Sequence, residues 1–152
     1  MTIRQTDSGE VRAVLGALMS EFFSCVSFTV GQRPAYGGIR ALFVDNGLLI
    51  RNTSDLPEVS TVNEFVVSRQ SLFDEGGLTE FEERELGSRT EVFGRVAHRL
   101  SGYSKQGCRN GVPFEACGVI TTQFVLTPTG WHLTSMAWDD ARPGLSIPAE
   151  LL

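Results

Sequence analysis

Two adjacent glycines, Gly76 and Gly77, divide the sequence into stretches that obey different hydrophobic periods. Upstream of them apolar residues recur at helical spacing, and downstream they alternate. Helices gathered first and strands gathered after do not build alternating β-α-β units, so the pattern predicts a segregated α+β domain. At 152 residues the chain has the length of one domain and buries enough surface for a core without disulfides or metals. No internal repeat, low-complexity tract or linker interrupts it.

The first helix is marked by Val11, Val14, Leu15, Leu18, Met19, Phe22, Phe23 and Val26, an i, i+3, i+4, i+7 stripe. Asp7, followed three residues later by Glu10, predicts its capped start. Gly31 and Pro34 break the pattern. A short second helix is expected with Tyr36, Ile39, Leu42 and Phe43 on one face, ended by the turn Asp45-Asn46-Gly47. Leu48 to Ile50 reads as a short strand, and the polar stretch from Arg51 to Ser60 as loop. Thr61 and Glu64 have capping-box spacing and open a third helix carrying Val62, Phe65, Val66, Leu72 and Phe73. The glycine pair closes it.

Four long strands are expected after it, over about 78–88, 92–105, 113–127 and 130–139. Pro128-Thr129-Gly130 makes one turn and Gly107 to Gly111 another loop. In the third of these strands Ile120, Phe124 and Leu126 share one face, with Val119 and Val125 on the other. In the last, Trp131, Leu133 and Ala137 oppose Met136 and Trp138. A sheet backed by helices needs only one apolar face. The second implies a cover, either a homodimer partner on the outer face or the C-terminal segment.

The charge is uneven. Seven acidic residues between Asp74 and Glu91, against Arg84 and Arg89, account for the whole net charge of −5. That balance excludes a nucleic-acid partner held by a basic footprint. Glu80, Glu82, Glu83 and Glu85 divide between two strand faces and read as a solvated edge, not a cation site. Cys25, Cys108 and Cys117 are odd in number and contain no CxxC pair, so no disulfide framework or zinc site is expected, and a reducing cytoplasm fits. No apolar run reaches membrane-spanning length, and Glu21 interrupts the N-terminal apolar stretch, which predicts neither a membrane span nor a signal peptide. The absence of GxSxG, HExxH, P-loop and GxGxxG patterns removes the common hydrolase, zincin and nucleotide-binding readings.

Three stretches carry a resemblance. They are Leu42-Phe43-Val44-Asp45-Asn46-Gly47-Leu48-Leu49-Ile50, Phe93-Gly94-Arg95-Val96-Ala97-His98, and Gly130-Trp131-His132-Leu133-Thr134-Ser135-Met136-Ala137-Trp138. With the tail Trp138 to Pro143 and Ile147-Pro148, they resemble the nuclear transport factor 2-like superfamily, above all its SnoaL-like branch. The resemblance implies a cystatin-like roll: a cone of three N-terminal helices on a curved mixed or antiparallel sheet, enclosing an apolar cavity and commonly dimeric. It leaves activity open, because the superfamily hosts isomerases, dehydratases, cyclases, epoxide hydrolases and binding modules. Where its ketosteroid isomerases carry a general-base aspartate, this chain has Arg51 or Asn52. Neither side chain accepts a proton at neutral pH. Where they carry an oxyanion-hole acid, it has residues near Thr122. The paired histidines of the dehydratases have only His98 and His132 to match them.

The expected site therefore has His98 as acid or base, since an imidazole titrates close to neutral pH. Arg51 would anchor an anion, and Tyr36, Phe65, Thr122 and Trp138 would line the cavity. Only one of His98 and Tyr103 faces inward on a regular strand, their separation being odd. The expected ligand is a small hydrophobic molecule, with no cofactor and no metal; the chemistry, if any, is proton transfer or hydration and dehydration. The alternative is a non-catalytic homodimeric module. An enclosed void containing His98 and another polar group favours binding, and a cavity plugged by Trp138, Phe65 and Phe124 favours the module.

Overall fold

The structure, a computed structural model, describes residues 8–152; Asp7, the expected cap of the first helix, lies outside them. Helix α1 (Ser8–Val26) is followed by a 3-10 turn over Tyr36–Ala41, strands β1 (Phe43–Arg51) and β2 (Glu58–Thr61), and helix α2 (Val62–Asp74). Strands β3 (Leu78–Phe93), β4 (Val96–Arg109), β5 (Val112–Thr127) and β6 (Gly130–Asp140) complete the sheet, and a second 3-10 turn spans Ala149–Leu151. The strand order is β2-β1-β6-β5-β4-β3. Every neighbouring pair is antiparallel except β1 and β6, which run parallel, so the sheet is mixed. The fold class is α+β, but β1 and β2 precede α2, so the helices are not all grouped first.

The apolar stripe of α1 is buried at Val11, Leu15, Met19, Phe22, Phe23 and Val26, with β3 its main partner in the sheet. The capping box of α2 forms as expected: Glu64 N donates to Thr61 Oγ1 at 3.1 Å, and Thr61 N to Glu64 Oε1 at 3.2 Å. The second helix is only a 3-10 turn. Gly38 there lies so close to α1 that a Cβ would stand 2.9 Å from Cys25 Sγ, and glycines weaken an α-helix.

Asp45-Asn46-Gly47 does not end a helix; it makes an irregularity inside β1, between Phe43 paired with Leu133 and Leu48 paired with Ser135. The stretch expected to be loop contains β2, a short edge strand whose residues Glu58-Val59-Ser60-Thr61 are too exposed to show alternation. The β4–β5 connection is a two-residue turn at Asn110 and Gly111, both left-handed with φ of 51° and 79°, as tight hairpins require. Gly107 is strand, not loop, because its bare face admits the Phe114 ring.

One bulge rearranges β6. Phe124 pairs with Leu133 and Gln123 with Ser135, leaving Thr134 as the extra residue. It shifts alternation by one, so Leu133 and Met136 are both buried on the inner face and Trp138 joins them. The expected opposition of Leu133 to Met136 and Trp138 is corrected accordingly. On β5 Ile120, Thr122 and Phe124 face inward, and Leu126 emerges exposed at the end of the sheet.

The C-terminal segment covers part of the outer face. Leu151 is fully buried, seated where Gly87 of β3 and Gly102 of β4 present bare backbone; a Cβ at Gly87 would stand 2.8 Å from the Leu151 carbonyl carbon, and one at Gly102 would collide with the Leu151 carbonyl. Arg89 Nη1 pairs with Glu150 Oε1 at 2.8 Å alongside. No described helix is long and apolar enough to cross a membrane.

Candidate functional site

Between the helices and the inner face of the sheet lies a void of about 30 Å3, enough for one or two water molecules. Phe22 and Val26 of α1, Phe65 of α2, Phe81 and Glu83 of β3, Ile120, Met136 and Trp138 bound it. Phe65 meets Trp138 edge to face, ring centroids 6.4 Å apart, and this pair narrows the space.

Glu83 is the one ionisable group on that wall. Its backbone is fixed to the end of α1: Glu83 N donates to Ser27 Oγ at 3.1 Å, and Ser27 Oγ donates to Glu83 O at 3.4 Å. Its carboxylate makes no hydrogen bond or ion pair among the described residues. Burial pushes this carboxyl from 4.5 up to about 7; Lys105 and Arg69 hold the rise back, and Asp140 adds to it.

Arg69 follows Phe65 by one helical turn, with its guanidinium over the Phe65 ring at 5.2 Å. It too has no hydrogen bond or ion pair among the described residues. Burial draws it below its ordinary value, and it feels Tyr36, then Arg51, Glu83 and Arg109. Tyr36 is 2 % exposed and its hydroxyl has no partner among the described residues. Burial raises this phenol and Arg69 draws it back. Arg51 shares the inner face of β1 with buried Leu49. It spends only its Nε, donating to Thr53 Oγ1 at 3.0 Å.

Beside Glu83, Lys105 is directly opposite on β4 and pairs with Asp140 at 3.0 Å. The Tyr103 hydroxyl donates to the Asp140 carboxylate and to Asp139 O. Burial first, then that hydrogen bond, hold the phenol far above its ordinary value, so Tyr103 is not an acid at neutral pH. Further along β3, Glu85 accepts from Arg99 Nη2 at 2.6 Å, Arg99 Nε at 3.1 Å and Ser101 Oγ at 2.7 Å. Arg99 Nη1 also donates to Thr90 Oγ1 at 3.0 Å. This network is satisfied internally and braces the interior under Gly16 of α1.

The expected residues separate. Phe65 and Trp138 line the void, while Tyr36 and Arg51 do not border it and lie within electrostatic reach of Arg69. Thr122 is fully buried, its Oγ1 without a partner among the described residues, and does not border the void. His98 lies outside: of the His98 and Tyr103 pair, alternation buries Tyr103. The His98 side chain is 45 % exposed, its Nε2 3.7 Å from Glu91 Oε2, in a surface depression with Phe93, Val96 and Val125. Phe124 belongs to the core and does not border the void, so of the expected plug only Phe65 and Trp138 are in place, and the polar group of the void is Glu83, not His98.

Glu83, Arg69, Lys105 and Asp140 were not among the expected site residues. Glu83 is not part of a solvated edge, as the acidic run suggests: Glu83 and Glu85 share the inner face of β3 with Phe81. Their places two and four residues after Phe81 are the available signal, as is the one-turn spacing of Phe65 and Arg69. No group of three His, Cys, Asp or Glu side chains placed to hold a metal occurs among the described residues.

No family model matches the chain, and no curated protein matches it. Solved structures do. A nuclear transport factor 2-like superfamily protein from Salmonella enterica serovar Typhimurium superimposes with a TM-score of 0.74 at 12% identity, covering 93% of this chain and 99% of that one. A cystatin-like protein from Caulobacter vibrioides gives 0.70 at 12% identity, covering 90% and 93%. LinA gives 0.73 at 11% identity, covering 90% and 89%. At these identities the likeness is one of fold: the chain has the architecture of nuclear transport factor 2-like and cystatin-like proteins.

Proposed function

We propose that the chain is a small-molecule-binding domain of the SnoaL-like kind, whose ligand enters between the helices and the sheet and exchanges a proton with Glu83. The observation that carries this reading is the Glu83 carboxyl itself: without a hydrogen bond or ion pair among the described residues, on the wall of the void with Phe65 and Trp138, and raised by burial to about 7. A carboxyl held there serves as base above its pKa and acid below it. His98 lies too far towards the outer surface to share the role. The walls favour an apolar ligand with one polar end. Because the void is about 30 Å3, binding requires the Phe65–Trp138 pair to part, so Trp138 reports on it. A fluorescence and thermal-shift screen on Trp131→Phe protein, which leaves Trp138 as its tryptophan, is expected to give ligands whose binding changes in Glu83→Gln. A complete set of hits indifferent to Glu83→Gln and silent at Trp138 would remove the reading.

The same proposal includes self-association. Val119, Thr121 and Ala137 on the outer face, with Leu145, Ile147 and Pro148 of the tail, border an apolar cleft of about 410 Å3, a surface of the kind that partners cover. Three unpaired cysteines, Cys25, Cys108 and Cys117, support a reducing, cytoplasmic setting.

A further inference from the structure

Resting on that reading, we propose that the ligand is an organic carboxylate, its charged end held by the Arg69 guanidinium and the Tyr36 hydroxyl and its apolar body against Phe65 and Trp138. Arg69 and Tyr36 are hydrogen-bond donors with nothing to donate to among the described residues. Buried donors are almost always satisfied, and a half-buried cation with no ion pair at bonding distance is costlier still. Arg69 and Tyr36 are also each other's foremost electrostatic neighbours. Two unpartnered donors within each other's electrostatic reach call for one acceptor with several lone pairs, which a carboxylate supplies.

Local charge selects the same class. Lys105 is already neutralised by Asp140, leaving Arg69, Arg109 and the terminal nitrogens of Arg51 against Glu83 among the described residues. In a chain of net charge −5, this is a locally cationic spot beside an aromatic wall, and an aromatic or aliphatic monoanion matches both parts.

Glu83 then makes binding depend on pH. The groups that face it are Lys105 of β4, Arg69 of α2, Asp140 of β6 and, more weakly, the Tyr103 hydroxyl. An anion seated on Arg69 screens one of the two cations that favour charged Glu83 and adds a like charge. The complex therefore keeps Glu83 protonated. Affinity is highest below its pKa and is lost as pH rises through about 7, a change of about tenfold between about pH 6 and about pH 8.

The experiment titrates the whole chain, carrying Trp131→Phe, with phenylacetate and hexanoate and with their neutral amides, following Trp138 fluorescence and, by calorimetry, proton uptake. The acids are expected to bind at least about tenfold more tightly than the amides at about pH 6. The preference is expected to fall with pH, to lose its pH dependence in Glu83→Gln, and to disappear in Arg69→Gln while amide binding persists. Tyr36→Phe should weaken the acids several-fold, which covers the case that Arg69→Gln does not fold. Acids and amides binding equally would overturn the inference and leave the small-molecule reading standing. Failure of every probe to bind would overturn both.

Discussion

Glu83 carries the clearest consequence at the scale of single residues. Its carboxyl titrates near 7 in the folded chain against 4.5 ordinarily, so between those values the folded state binds the extra proton. The stability this confers is complete below about pH 4.5 and is lost as pH rises through about 7. Glu83→Gln keeps the shape and removes the titration. Its thermal midpoint is expected to gain on the wild type as pH is raised from about 5 to about 8, measured by circular dichroism in matched buffers. Parallel midpoints across that range would show that Glu83 is solvated. Sequence reasoning reached Trp138 and Phe65 because aromatic residues at core spacing announce themselves. Alternation admits only one of Tyr103 and His98 to the interior; His98 was the expected one, and the structure buries Tyr103 instead. It passed over Glu83 and Arg69 because charged residues in an acidic or polar stretch look solvated until the partner elements are in place. What makes them notable, the absence of partners, is a property of the assembled fold.

At the scale of elements, the local signals were legible and the cross-strand ones were not. The stripe of α1 and the capping box of α2 depend on residues within a few positions of each other, and both were recovered. The Thr134 bulge, the irregularity in β1 and the parallel pairing of β1 with β6 depend on what lies across the sheet. A one-residue slip there moved Met136 and Trp138 onto the face of Leu133. The C-terminal turn over Ala149–Leu151 is a further case: its dock is made by Gly87 and Gly102, residues far away in sequence. Gly102→Ala places a methyl against the Leu151 carbonyl, backbone that cannot rotate aside. The tail is expected to detach in this variant, exposing Leu151 and losing the Arg89–Glu150 pair. Leu151→Ala should destabilise by roughly 2–5 kcal/mol, as buried leucine truncations do. Hydrogen exchange at Leu151 and Leu152 separates the two, because only Gly102→Ala should free their amides while leaving α1 protected. Unchanged protection in Gly102→Ala would mean that the turn rides on other contacts.

For the whole molecule, the tail settles part of the question raised by a sheet apolar on both sides. It covers β3 and β4 but leaves the cleft over β5 and β6, where Val119 and Ala137 face outward. Stable protein interfaces bury on the order of 800 Å2 on each partner, more than this cleft offers alone. A dimer must therefore use the surrounding outer face as well, with the tail residues Leu145, Ile147 and Pro148 forming one rim. The expected sedimentation mass is twice 16.6 kDa, and Val119→Glu, which sets a charge in the middle of the cleft, should return it to the monomer. A wild-type chain that stays monomeric at high concentration would remove the proposal and leave the tail as the sole cover. The two proposals are also separable by geometry. Val119 and Ile120 are neighbours on β5 and point to opposite faces, Ile120 onto the void and Val119 away from it. A monomeric Val119→Glu chain should thus bind phenylacetate with unchanged pH dependence. Loss of binding together with the dimer would show instead that the partner subunit holds the Phe65–Trp138 gate in place.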